Sequence, residues 1–310
     1  MLYDNEPHFL LFTIFQLPGP PPLPVRRRWE IYDQLLALIR LGIPMQHPEP
    51  NRTLPDAYRR RGITIGDVGI LTPFGGFDFM FNICLPADHP INQQGLPEGF
   101  SPLFPPLQPS DVDIRTEFNH NTYLTSKLNK KSCNSDDSSY VCPLPSSIDG
   151  KINAYFECSG IVFESSDSEG AILALPQGAD AENLLNVSRF KRYLSDNETR
   201  WYRYANKVRG REARSGDLRL VVGCVKAPSW GMATYANSAA RDLHLEFKST
   251  SEGGHRWEHS GSSGVVEARA GPDPRETKKL RATDSSRHLG VYMNQCLFVH
   301  TLRATLRDEV

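Results

Sequence analysis

Apolar positions change their spacing several times along this chain, and each change marks an element. Within 29–41, Ile31, Leu35, Leu38 and Ile39 recur at helical steps, predicting a short amphipathic helix stopped at Gly42. After the Pro-rich connector 44–55, Ile63 to Thr72 carries strand character. Pro73 to Gly76 then reads as a turn and Phe77 to Leu85 as the returning strand of a hairpin. Residues 86–147 show little periodicity and many Pro, Asn and Ser, so they read as a long loop region with a low-complexity middle at 129–139. Strand character resumes at 151–163 and 170–175.

Leu184, Val187, Phe190, Leu194, Trp201, Tyr204, Ala205 and Val208 mostly keep steps of three or four, and Gly210 follows. They predict the principal helix near 182–209, with a bend at Ser195–Asp196–Asn197 where the stripe is interrupted. Beyond Asp217 the pattern turns to period two and continuous apolar runs, giving strands at 217–226, 230–236, 243–248, 255–259, 264–270 and 291–301. Short strands separated by Gly, Ser and Pro, without alternating helices, disfavour a doubly wound parallel sheet. The expected class is α+β: mainly antiparallel β in sandwich-like sheets, with one principal helix. Residues 1–28, which contain the tract Pro18 to Pro24, are expected to form an irregular extension. Residues 29–310 form a single α+β domain, or two lobes joined within 100–148.

Composition works mainly by exclusion. Lys and Arg total 35 against 36 Asp and Glu, without the basic excess of a dedicated nucleic-acid binder. Hydrophobic residues at 39% supply a sizeable core, so wholesale disorder is excluded. The longest apolar run, Phe9 to Leu17, is shorter than the roughly 20 residues of a membrane-spanning helix. Asp4 and Glu6 stand where a secretory signal needs positive charge, and Pro18 to Pro24 where it needs a cleavage site. The glycosylation-type triplets at Asn51, Asn186 and Asn197 therefore read as chance matches. Of the six cysteines, Cys84, Cys158, Cys224 and Cys296 lie in apolar strand-like runs, where a thiol acts as a small hydrophobe. Cys133 and Cys142 flank a loop that a local bridge can close. The expectation is a cytoplasmic chain with reduced thiols.

Several short stretches form an ordered series: Gly66-Asp67-Val68-Gly69, Phe77 to Asn92 (FDFMFNICLPADHPIN), Gly170 to Pro176 (GAILALP), Ser229-Trp230-Gly231 and Asn294 to Val299 (NQCLFV). In that order the chain resembles an uncharacterised family of agaricomycete (mushroom-forming) fungal proteins, over roughly Ile31 to the C-terminus. The family has no established reaction, cofactor or partner, so the resemblance implies no mechanism. It also implies that residues 1–28 lie outside the shared fold and that this chain is a shortened version.

Each candidate for chemistry competes with a plainer role. Gly66 to Gly69 lacks the spacing and the Lys-Ser/Thr of a phosphate loop and reads as a hairpin strand with glycines at close backbone approaches. Cys84, Asp88 and His89 resemble a nucleophile beside a base, but such neighbours read better as a turn in which Asp88 hydrogen-bonds the backbone. The remaining histidines form no HExxH, and His255 and His259, four apart on a strand or loop, need not share a face. Trp201-Tyr202-Arg203-Tyr204 with Lys207, Arg209, Arg211 and Arg214 interleaves aromatics and bases, yet helical spacing gives one buried face and one solvated face. Trp230 and Trp257 read as core anchors. No catalytic, cofactor or metal-ligating residue is therefore assigned. The function expected first is a non-enzymatic interaction module with a protein partner and no nucleic acid. The alternatives are a hydrolase using Cys84 or Asp88 with a distant His, and a membrane-active effector.

Overall fold

The computed structural model describes residues 28–37, 40–125, 130–132, 160–165, 169–237, 243–250, 254–260, 264–285 and 291–306. The expected extension before Arg28, residues 151–159 of the strand expected at 151–163, Cys133, Cys142 and Cys158 lie outside them. In chain order the elements are α1 (Arg28–Ala37), β1 (Ile43–Pro44), α2 (Asp56–Arg61), β2 (Asp67–Leu71), β3 (Phe77–Asn82), β4 (Val112–Phe118), β5 (Thr122–Thr125), β6 (Lys130–Ser132), β7 (Gly160–Ser165), β8 (Glu169–Leu175) and β9 (Ala179–Leu184). They continue with α3 (Val187–Arg203), β10 (Leu218–Ala227), β11 (Trp230–Asn237), β12 (Leu243–Ser249), β13 (His255–Ser260), β14 (Gly264–Gly271), α4 (Pro274–Ala282) and β15 (Gln295–Arg303). Every strand pairing among the described residues is antiparallel. The architecture is α+β, and among the described residues no helix is long and apolar enough to cross a membrane.

Three sheets stack. The outer one runs β13-β12-β7-β6 and the middle one β14-β11-β8-β5. Strand β8 shows why the middle sheet reads as a continuous apolar run. Its Ile172 and Ala174 point to a core shared with Phe163, Leu245 and Phe247 of the outer sheet. Its Ala171, Leu173 and Leu175 point the other way, to a core shared with Tyr32 and Leu36 of α1 and with Val225, Leu297 and Phe298 of the third sheet. Both faces are buried, so the period-two alternation is apolar at every step. Two glycines fit the stack because aromatic rings lie over them: a Cβ at Gly231 would run into the Phe247 ring, and one at Gly170 into Tyr235, its cross-strand partner.

The third sheet has seven strands and forks. Along one edge β10 pairs with β15; along the other, Leu218–Leu220 pair with β2 and Gly223–Lys226 with β9. Strand β9 then carries β4, and β2 carries β3. Helix α3 lies on this sheet, burying Phe190, Leu194, Trp201 and Tyr202 with Val68, Phe81, Leu218 and Leu220.

The structure corrects several expectations. The segment 179–184 is strand, so the principal helix begins at Val187, and the expected bend at Ser195–Asn197 is absent. There Asn197 folds back to donate to the Tyr193 carbonyl at 2.8 Å, and Leu194 and Glu198 keep the buried stripe continuous. The irregularity comes later, as a π-turn over Tyr204–Val208 that ends at Gly210 with φ +63°. Ile63–Gly66 is turn rather than strand, and the region read as loop contains β4, β5 and β6, the last within the stretch read as low-complexity. Strand β4 escaped notice because Ile114, Arg115, Thr116 and Glu117 are all exposed, which leaves it no apolar alternation.

Candidate functional site

The fork in the large sheet is where the motif residues gather. A strand that changes partners leaves backbone groups unpaired, and buried ones must find substitutes. The turn 63–66 fills the gap, with Gly66 (φ +91°) donating its N–H to the Val221 carbonyl at 2.9 Å. Asp67, fully buried, accepts from the Thr64 N–H at 2.9 Å, from Asn82 Nδ2 at 2.7 Å and from Arg61 Nη2 at 3.1 Å. Asn82 also donates to the Ile65 carbonyl at 3.2 Å, and its Oδ1 accepts from the Cys84 N–H at 2.8 Å. Asn92 Oδ1 accepts from the Asn82 N–H, while its Nδ2 donates to the carbonyls of Asn82, Leu85 and Pro86. The GDVG and FNICLPADHPIN stretches are thus one buried polar clamp.

The nucleophile candidate sits inside that clamp. Burial, with the Asp67 carboxylate adding to it, pushes the Cys84 thiol up to about 12, the reverse of what an attacking thiolate needs. The charged groups that bear on it are Asp67, Arg61 and Arg189, with no imidazole among them. The turn is held by His89 rather than by Asp88, which is exposed: His89 Nδ1 accepts from the Ile91 N–H at 3.2 Å. Burial lowers the pKa of His89 and so favours that neutral, accepting imidazole.

The other candidates are dispersed. Trp201 and Tyr204 are buried edge-on to Phe81, and Arg211 is held by Asp78 at 2.6 Å. Trp230 is buried and donates to Gln295 Oε1 at 3.0 Å. His255 and His259 both lie on β13, where residues four apart do share a face, but at about 3.3 Å per residue they are too far apart for one metal ion. Among the described residues no three His, Cys, Asp or Glu side chains are placed to hold a metal ion.

A different set of residues forms a concave site. A pocket of about 550 Å³ opens between α4, the β10–β11 turn and the strand entry at 291–294. Helix α4 is oriented by its acidic side. Asp273 caps it by accepting from the Arg275 N–H at 2.9 Å and pairs with Arg52 at 2.9 Å. Glu276 pairs with Arg59, and Arg60 reaches the Leu280 carbonyl and the Thr283 hydroxyl at the helix end. Steps of three then place Arg275, Lys278 and Arg281 along the face that lines the pocket, all three exposed. None of them makes an ion pair, and no Asp or Glu lines the pocket, among the described residues. Pro228, Val291 and Tyr292 give the pocket an apolar side. Ser229, 5% exposed, also lines it, and the Ser229 hydroxyl is buried without a hydrogen-bond partner.

A second hollow of about 410 Å³ at the start of α3 is different in kind. Its Arg189 already faces Asp111 at 3.8 Å, and Asp196 joins Arg192 in its lining. Sequence reasoning missed the α4 pocket entirely. Only Leu280 of α4 is buried, so the helix shows no apolar period, and its one legible signal was Asp273-Pro274, a capping residue followed by proline at the first helical position. The chain matches no protein-family model, and comparison with curated proteins and with solved structures finds no match.

Proposed function

We propose that this protein is an intracellular, non-enzymatic recognition module that binds an acidic group of its partner in the α4 pocket. One observation carries the reading: Arg275, Lys278 and Arg281 share one face of a short helix, without an ion pair among the described residues, in a chain whose formal charge is only -1. Like charges spaced this way cost an isolated helix a few tenths of a kcal/mol per pair, which a bound anion would relieve. The binding reading is further supported at the fork, where Asp67, Asn82, Asn92 and His89 are spent on backbone groups and the Cys84 thiol stays protonated. The test is calorimetric titration of the full chain with small anions at low and high salt. Binding is expected at low salt and to weaken at high salt, as for any exposed cationic site. Equal heats for anions and for neutral analogues would remove the proposal.

A further inference from the structure

Resting on that reading, we infer that the acidic group is a phosphate monoester, its head on Arg275, Lys278 and Arg281 and its body against Pro228, Val291 and Tyr292. The number and kind of donors decide the class. A carboxylate carries one charge on two oxygens and is saturated by a single guanidinium fork. Three cationic side chains, with no carboxylate among the described lining residues, exceed that demand. A phosphate monoester carries about -1.5 to -2 charge near pH 7 on three strong acceptor oxygens, which matches three cationic donors. The floor adds a second, independent sign. The Ser229 hydroxyl is buried without a hydrogen-bond partner, a state that disfavours the empty pocket if a ligand acceptor can complete it. Ser229 belongs to the pocket lining, and a ligand oxygen that reaches its hydroxyl would complete it. Size agrees: about 550 Å³ falls within the roughly 300–1,000 Å³ of sites that hold small molecules, well above what a bare inorganic ion needs. The apolar side of the lining calls for a ligand with a flat or apolar body behind its charged head.

The experiment is isothermal titration of the full chain with phenyl phosphate, inorganic phosphate, phenyl sulfate and benzoate. Phenyl phosphate is expected to bind at least tenfold more tightly than benzoate, with phenyl sulfate and inorganic phosphate between them. Arg275→Ala combined with Arg281→Ala should weaken phenyl phosphate tenfold or more. Ser229→Ala should weaken it about threefold, and Lys191→Ala on the exposed face of α3 should leave it unchanged. Circular dichroism of each variant confirms that it has folded. A nucleoside monophosphate and a phosphotyrosine peptide then separate a free phosphate from a protein-borne one, and either binding more tightly than inorganic phosphate supports the inference. If benzoate binds as tightly as phenyl phosphate, the phosphate class is overturned while the anion pocket stands. If phenyl phosphate binds equally well to the double variant, the location is overturned. If no anion binds, both this inference and the recognition reading fall.

Discussion

Replacing Asn82 by Ala tests whether the fork in the large sheet is held by side chains standing in for missing ladder partners. Asn82 is fully buried and serves three groups at once: Asp67 Oδ1 at 2.7 Å, the Ile65 carbonyl at 3.2 Å and the Cys84 N–H at 2.8 Å. A hydrogen bond to a charged group contributes about 1.5–3 kcal/mol, and a buried N–H left without an acceptor costs about 1–3 kcal/mol. The sum is about 2–5 kcal/mol once a water entering the vacated space recovers part of the loss. That is a large share of the roughly 5–15 kcal/mol that holds a typical domain.

Urea unfolding followed by tryptophan fluorescence measures the loss as a lower midpoint with an unchanged slope. Asn82→Asp is the informative companion, because it keeps the acceptor for Cys84 but sets a second carboxyl against Asp67. Two carboxyls at one buried site cannot both ionise cheaply, so this variant should be worse than Ala at pH 8 and recover toward it at pH 4. An Asn82→Ala protein within about 1 kcal/mol of wild type, at unchanged slope, would refute the argument, since it would mean that the fork holds itself without this side chain.

Three further outcomes follow from the same geometry. Gly231→Ala drives a methyl into the Phe247 ring and should cost about 1–3 kcal/mol by overpacking in the same urea assay, whereas a neutral result would mean that the two sheets separate freely. Burial raises the thiols of Cys84, Cys224 and Cys296, so in a Cys133→Ser, Cys142→Ser, Cys158→Ser background a thiol-specific disulfide reagent should label the native chain at least a hundredfold more slowly than the unfolded one; comparable rates would contradict it. Burial lowers the pKa of His255 below its ordinary 6.5, so on acidification the unfolded chain takes up this proton first. Its contribution to stability is therefore complete above about pH 6.5 and is lost as pH falls through the lowered value. His255→Phe, which retains a ring against Phe247 where the two now stack at 5.3 Å, should gain stability relative to wild type between pH 7.5 and 5.5; a constant difference would place the proton elsewhere.

What could be read from the chain was whatever burial wrote into it. Strand β8 and helix α3 were legible because every buried side chain of β8 and most of α3's stripe are apolar. Strand β4 was not, since four of its residues face solvent on a sheet edge and carry no pattern. The bend expected at Ser195–Asn197 fails for a related reason: polar side chains signal a break only when the backbone needs them, and Asn197 instead bonds within an intact helix. Asp67 was visible only as one letter among glycines. That it closes a turn inside a forked sheet depends on β10 exchanging β2 for β9, a fact of pairing with no local trace in the sequence.

The same logic explains why the residues that looked chemical and the residues that line the pocket are different sets. A thiol, a carboxylate and an imidazole close in sequence attract notice, but close in sequence is also where a turn needs its backbone satisfied, and Asn82, His89 and Asn92 go to that use. Binding to an outside molecule makes the opposite demand: donors that the fold itself leaves unsatisfied. Helix α4 meets it by dividing its charges, with Asp273 and Glu276 spent on Arg52 and Arg59, so that Arg275, Lys278 and Arg281 face the open side. Unspent charge has no period and no motif, and becomes visible only when the partners it lacks can be looked for in three dimensions. A Glu276→Gln substitution would therefore act on the pocket indirectly, by loosening the anchored side of α4. Binding of phenyl phosphate should weaken several-fold while the three cations remain, and Glu276→Asp should restore part of it. Full binding by the Gln variant would show that the helix holds its orientation without that ion pair.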